Sequence, residues 1–212
     1  MKSTAHWRLS PQDITPAILE AVASHIAAGE VVILPTDTVY GLHVSATNAS
    51  AVQSLYSLKS RESGKPLLVL IAKIDDLDTL GVALTPDTRN VLAQLWPAPL
   101  TVVLPLLRPV AAARASSTIA VRVPAVQWLR DLIEISGPLA SSSVNVSGKS
   151  EVYSMENLDE KVKNGVGAIV DFGPIHEEPS TIVDFTGDDP QVIREGGFRF
   201  TQDLWKTSRK ML

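Results

Sequence analysis

The sequence contains no cysteine. That absence excludes disulfides, thiol nucleophiles and thiolate metal sites. Histidine is scarce too. His6, His25, His43 and His176 share no ligand spacing with one another or with a carboxylate pair, so a histidine-built metal centre is not expected. No uninterrupted apolar run is long enough to cross a bilayer, because Arg108 breaks the best one, "PLTVVLPLLRPVAAA". The opening "MKSTAHWRLS" lacks the apolar stretch of a secretion signal. An excess of basic charge is missing as well. The formal net charge is -4, which argues against a whole-surface attraction to nucleic acid while leaving room for a local basic groove. There is no G-x-S-x-G elbow of a serine hydrolase. The stretch "SGKS" at 147–150 is not a phosphate loop, since Ser143 stands where that motif needs its first glycine. These absences together predict a soluble, cytoplasmic protein with no membrane partner.

What is present suits one sizeable domain. The chain has 212 residues, of which 45% are hydrophobic and 20% charged, so wholesale disorder is excluded. Residues 15–29 read as a helix, with Thr15 as cap, Pro16 at the first helical position and Gly29 at the exit. Its apolar stripe is Ile18, Leu19, Val22 and Ile26. "VVILP" follows as a buried strand, then a helix from about Asn48 to Lys59 and the strand "PLLVLIA". Short helices are predicted near "DDLDTL" and "PDTRNVLAQLW", strands at "LTVVLPLL" and "TIAVRVP", and a helix at "AVQWLRDLIEI". "PLASSSVN" reads as a strand that turns polar, and "SMENLDEKVKNG" as one exposed helix capped by Ser154. "AIVDF", "STIVDF" and "QVIREG" close the pattern as short strands, and the tail "TQDLWKTSRKML" reads as a helix. Interleaved helices and strands favour an α/β fold, and the closely spaced last strands make its sheet mixed.

Several polar clusters sit at strand ends or breaks. "PTDTVYGL" places Thr36, Asp37 and Thr38 directly after the buried "VVIL". "LKSRESGKPLLVL" gathers Lys59, Arg61 and Lys65, either as cations at a helix C-terminus or as a clamp for phosphates and carboxylates. "GPLASSSVNVSGKS" crowds Ser141, Ser142, Ser143, Asn145 and Ser147 at a strand end, either a polar turn or a ligand-binding edge. Arg122 interrupts the apolar "TIAVRVP". A charge there is costly unless paired, so it serves an anionic ligand or a buried acid such as Asp171 or Asp184. "PSTIVDF" and "VIREG" add Ser180, Thr181 and Arg194.

In this order, "PTDTVYGL", "KSR…KPL", "WPAPLT", "TIAVRVP", "PLASSSVNVSG", "STIVD" and "REG" resemble the YrdC family of threonylcarbamoyl-AMP synthases over residues 15–197. The resemblance implies a twisted mixed sheet surrounded by helices, with a basic concave cavity. It implies a YrdC-like catalytic domain over residues 1–200 and a helical tail over 201–212. It also implies a reaction in which L-threonine, bicarbonate and ATP, with Mg2+, give threonylcarbamoyl-AMP and pyrophosphate. Transferase proteins downstream would then modify tRNA, and direct contact with tRNA or double-stranded RNA is a secondary expectation. By the same resemblance, Lys59 and Arg61 are the catalytic cations. Arg61, Lys65, Thr118, Ser143, Asn145, Ser150 and Arg194 would hold the nucleotide. Thr36, Thr38, Arg122, Ser141 and Ser180 would hold threonine, and no residue would be dedicated to metal. Glu62 replaces a proline of many relatives, and Leu70 a histidine that some place near threonine. "GKSEVYS" lacks a proline usual after that glycine, and the chain is too short for the large C-terminal domain of some relatives. The rival readings are a nucleotide- or RNA-binding protein of the same fold without synthase activity and an RNA-binding module.

Overall fold

The structure, a computed structural model, describes residues 4–60, 66–144 and 154–210, with side chains through 206. Its helices are α1 (Pro16–Ala27), α2 (Ala49–Lys59), α3 (Asp76–Leu80), α4 (Pro86–Leu95), α5 (Gln127–Ser136), α6 (Glu160–Asn164) and α7 (Gln202–Lys210). Its strands are β1 (Ala5–Arg8), β2 (Val32–Leu34), β3 (Gly41–Ser45), β4 (Leu68–Leu70), β5 (Leu100–Pro105), β6 (Thr118–Arg122), β7 (Leu139–Ser143), β8 (Ala168–Asp171), β9 (Thr181–Asp184) and β10 (Gln191–Arg194). The strands form one mixed sheet in the order β1-β8-β2-β3-β7-β4-β6-β5-β9-β10. The β2–β3, β3–β7, β4–β7, β5–β6 and β9–β10 pairs are antiparallel, and β1–β8, β2–β8, β4–β6 and β5–β9 are parallel.

The helix signals act as expected. Thr15 accepts from the Ile18 amide, Pro16 opens α1, and Gly29 takes the left-handed φ of +77° that lets the chain turn back into β2. Thr85 and Pro86 do the same for α4. α1 and α5 pack together on one face of the sheet through Leu19, Val22, Ile26, Leu129, Leu132 and Ile133. The opposite face carries the larger core, with Leu42, Val44, Leu55, Val69, Val121 and Ala140 among its members. Both faces are covered, which is why β2 is an unbroken buried apolar run rather than an alternating one.

Three elements depart from the sequence reading. β1 and β3 are strands that it did not assign. The stretch expected as one exposed helix is a 3-10 turn over Met155–Asn157 followed by α6. Leu158 is extended between them and buried, as are Met155 and Val162, and Asp159 starts α6 by accepting from the Lys161 amide. An N-cap side chain in mid-segment and three buried apolar residues split the helix and dock it.

Candidate functional site

Strand alternation decides which side chains meet. On β3, β4, β6 and β7, Leu42, Val69, Val121 and Ala140 join the larger core. Gly41, Leu68, Ala120, Arg122 and Ser141 therefore project to the opposite face. Past the cover of α1 and α5, these residues line a cavity of about 270 Å³. Thr36, Thr38, Tyr40, Pro66, Thr101, Ser142, Ser143, Ser180 and Arg194 complete most of its wall.

The segment 36–40 turns sharply from β2 into β3, and its side chains make the turn. Thr36 Oγ1 accepts from the Thr38 amide at 3.1 Å and donates to the Val39 carbonyl at 2.8 Å. The Thr38 hydroxyl lies 2.9 Å from Thr36 Oγ1 and accepts from Arg122 Nη1 at 3.1 Å. Because the Thr36 proton goes to Val39, the Thr38 proton goes to Thr36. Both hydroxyl protons are thus committed within the wall. Tyr40 anchors the end of the turn by donating to the Gly173 carbonyl at 2.7 Å and accepting from the Phe172 amide at 2.8 Å. Burial pushes its hydroxyl pKa well above the usual range, so it stays protonated.

Arg122 is 2% exposed. Its buried acid is neither Asp171 nor Asp184 but Asp37, at 3.3 Å. Asp171 instead accepts from the Gly173 amide, and Asp184 from Thr186. Asp37 is itself fixed by accepting from the Ala125 amide at 3.0 Å through its other oxygen. Burial lowers the Arg122 pKa, Asp37 opposes that, and Arg194 adds a further lowering. Arg122 Nε has no hydrogen-bond partner. A buried, oriented guanidinium beside a second one is a group chemically suited to an anion.

The rest of the wall comes from β5, β7, β10 and the residues that lead into β9. Ser180 Oγ lies 2.8 Å from Thr101 Oγ1, and Arg194 donates to the Ser180 carbonyl at 2.7 Å. Lys59, at the end of α2, is buried behind β7. Its Nζ donates to Ser142 Oγ at 2.7 Å, the Ser143 carbonyl at 2.5 Å and Ser143 Oγ at 3.0 Å. It therefore places charge behind the serine strand rather than on the cavity wall. Thr118 shares a strand face with Ala120 and Arg122 but lies outside the cavity wall, half-buried and 3.1 Å from the Ser116 hydroxyl. Arg61, Lys65, Asn145 and Ser150 lie outside the described residues.

Of the expected residues, the cavity brings together Thr36, Thr38, Arg122, Ser141, Ser143, Ser180 and Arg194. Sequence reasoning missed Asp37 as the partner of Arg122, Thr101 as the partner of Ser180, and His43 behind the wall. The signal for Asp37 was present: a carboxylate between two threonines at a strand end.

A mixed ten-stranded sheet with a hydroxyl-rich cavity that Arg122 and Arg194 also line makes this an α/β protein with a polar cavity at its strand ends. The chain belongs to the Sua5/YciO/YrdC family, whose model, described as "Telomere recombination", matches residues 24–196. It is 33% identical over 183 residues to a threonylcarbamoyl-AMP synthase of Pyrococcus abyssi, covering 84% of this chain and 54% of that protein. It is 36% identical over 188 residues to the threonylcarbamoyl-AMP synthase of Bacillus subtilis, covering 86% and 54%. The chain thus spans about half the length of these relatives. Its fold superposes on the crystal structure of P. abyssi Sua5 complexed with L-threonine with a TM-score of 0.78 at 32% identity, covering 92% of this chain and 57% of that one.

Proposed function

We propose that this chain makes L-threonylcarbamoyl-AMP from L-threonine, bicarbonate and ATP, as a nucleotidyltransferase supplying tRNA threonylcarbamoyladenosine modification. The observation that carries the reading is Arg122, a guanidinium held by Asp37 and Thr38 in a residue that lines the cavity. That donor set suits the carboxylate of a small amino acid. Ser141, Ser180 and the backbone around Thr36 and Thr38 would enclose the rest of it.

In the reaction, the threonine amine attacks bicarbonate and water leaves, giving a carbamate. A carbamate oxygen then attacks the α-phosphorus of ATP, and pyrophosphate departs with the electron pair of the broken P–O bond. No protein nucleophile is needed. The protein must hold two anions in line and offset their charge. Arg194 would face the nucleotide with Ser143, while Lys59 supports Ser142 and Ser143 from behind. Thr118 would meet the nucleotide beyond the cavity, and Arg61, Lys65, Asn145 and Ser150 are assigned to it on the family resemblance. The described cavity wall offers Mg2+ no carboxylate, so any metal would be held by the phosphates and water.

The test is pyrophosphate release from ATP by purified protein. Release is expected only when threonine and bicarbonate are both present. Equal release with threonine omitted would remove the synthase reading.

A further inference from the structure

One buried polar side chain is unused by this chemistry. His43 lies in the middle of β3, between Val32 of β2 and Ser141 of β7. It is fully buried, and neither ring nitrogen has a hydrogen-bond partner. A neutral imidazole carries one donor and one acceptor, and leaving both unsatisfied in a core is costly. A leucine or methionine would fill the space without that cost.

The direction of the ring shows what the histidine faces. A Cβ placed on Gly41 would stand 2.6 Å from His43 Cε1, 2.9 Å from Nε2 and 3.3 Å from Ser141 Oγ. Gly41 and Ser141 are both part of the cavity wall. The far end of the ring therefore lies directly behind that wall, in the space the glycine leaves. Ser141 is its directly opposed neighbour in the β3–β7 ladder, where paired Cβ atoms on one face lie about 4.5–5.5 Å apart.

We propose that His43 is a positioning residue of the amino-acid pocket, whose uncharged imidazole fixes the Ser141 hydroxyl and, through it, the amine end of the bound amino acid. This rests on the synthase reading above. Arg122 supplies donors for the substrate carboxylate, so the amine needs acceptors. No carboxylate lines the cavity among the described residues, Thr36 Oγ1 uses both its lone pairs within the turn, and Thr38 Oγ1 keeps one. With the amino acid bound, the Ser141 hydroxyl would turn its proton to the imidazole and keep both its lone pairs for the substrate N–H groups. Neutrality matters here, because only an unprotonated amine attacks bicarbonate. Burial, and after it the Arg122 charge, push the His43 pKa down to about 3, while the Gly41 backbone opposes the shift without satisfying the ring. The histidine thus adds an acceptor and no second positive charge.

The test is calorimetric titration with L-threonine and, separately, ATP. It uses the wild type, His43→Met, His43→Gln, Ser141→Ala and the His43→Met/Ser141→Ala double variant. His43→Met should weaken threonine binding about tenfold or more, leave ATP affinity within about twofold and keep the melting temperature. His43→Gln should fall between the wild type and His43→Met. The double variant should bind threonine no more weakly than Ser141→Ala. Wild-type threonine affinity in His43→Met, or additive losses in the double variant, would overturn the role. The nitrogen NMR signals of the wild-type histidines give a readout that needs no variant. Threonine should shift a His43 ring nitrogen and ATP alone should not, and no shift with threonine overturns the role even if His43→Met fails to fold. A wild type that binds no threonine removes the synthase reading itself, and this role with it.

Discussion

Arg122 is at once a cavity wall and half of a buried ion pair, and the two jobs have different signatures. Removing it would take the proposed anion receptor from the cavity. It also leaves Asp37, with a side chain only 8% exposed, as an uncompensated carboxylate. Breaking such a pair costs about 3–5 kcal/mol. Arg122→Ala is therefore expected to lose threonine binding and to lower unfolding free energy by about that amount. Asp37→Asn should weaken threonine binding less, because Thr38 still holds the guanidinium. In the double variant, part of the stability should return while threonine binding stays lost. Urea unfolding and threonine calorimetry on the four proteins check this. Wild-type threonine affinity in Arg122→Ala would put the substrate carboxylate elsewhere. Much of this pair was legible in the sequence. An arginine inside "TIAVRVP" demands an anion, and only the identity of its acid was hidden. Asp37 is far from it along the chain, and the turn that joins them becomes visible only when β2, β3 and β6 are in place.

At the level of elements, capping and periodicity located the long helices, because Thr15, Asn48 and Thr85 each accept from an amide in the first turn. β3 was invisible for the opposite reason. "GLHVS" carries a glycine and a histidine where a strand should show apolar or alternating residues, and its pairing with β2 and β7 supplies the order that propensity does not. The glycine that hid the strand lines the cavity, and the histidine lies behind it. α7 docks through a buried aromatic contact. Trp205 is buried and meets Phe185 edge-on at 5.3 Å between ring centroids, and α7 packs on α4. Trp205→Ala should destabilise the protein by about 3–5 kcal/mol, read by urea unfolding. Threonine affinity should hold, since Trp205 is not part of the cavity wall. Unchanged stability would mean that α7 is not anchored through this ring.

For the molecule as a whole, charge is distributed against its average. The chain carries a net charge of -4, yet two guanidiniums meet at one cavity, and Arg122 is nearly sealed from water. A ligand held at this cavity would bind the folded state alone, so ligand and fold should be linked. A ligand that binds only the folded state at about one hundred times its dissociation constant adds about 2.7 kcal/mol. For a chain of this size, each kcal/mol is worth roughly 2–4 °C in melting temperature. Saturating L-threonine is therefore expected to raise the wild-type midpoint by roughly 5–11 °C, measured by differential scanning calorimetry. Arg122→Ala should melt lower at the start and show almost none of that rise, whereas Trp205→Ala should melt lower and still show it. The contrast separates a residue that holds the ligand from one that only holds the fold. An equal rise in Arg122→Ala would mean that threonine stabilises the protein from a site other than this cavity.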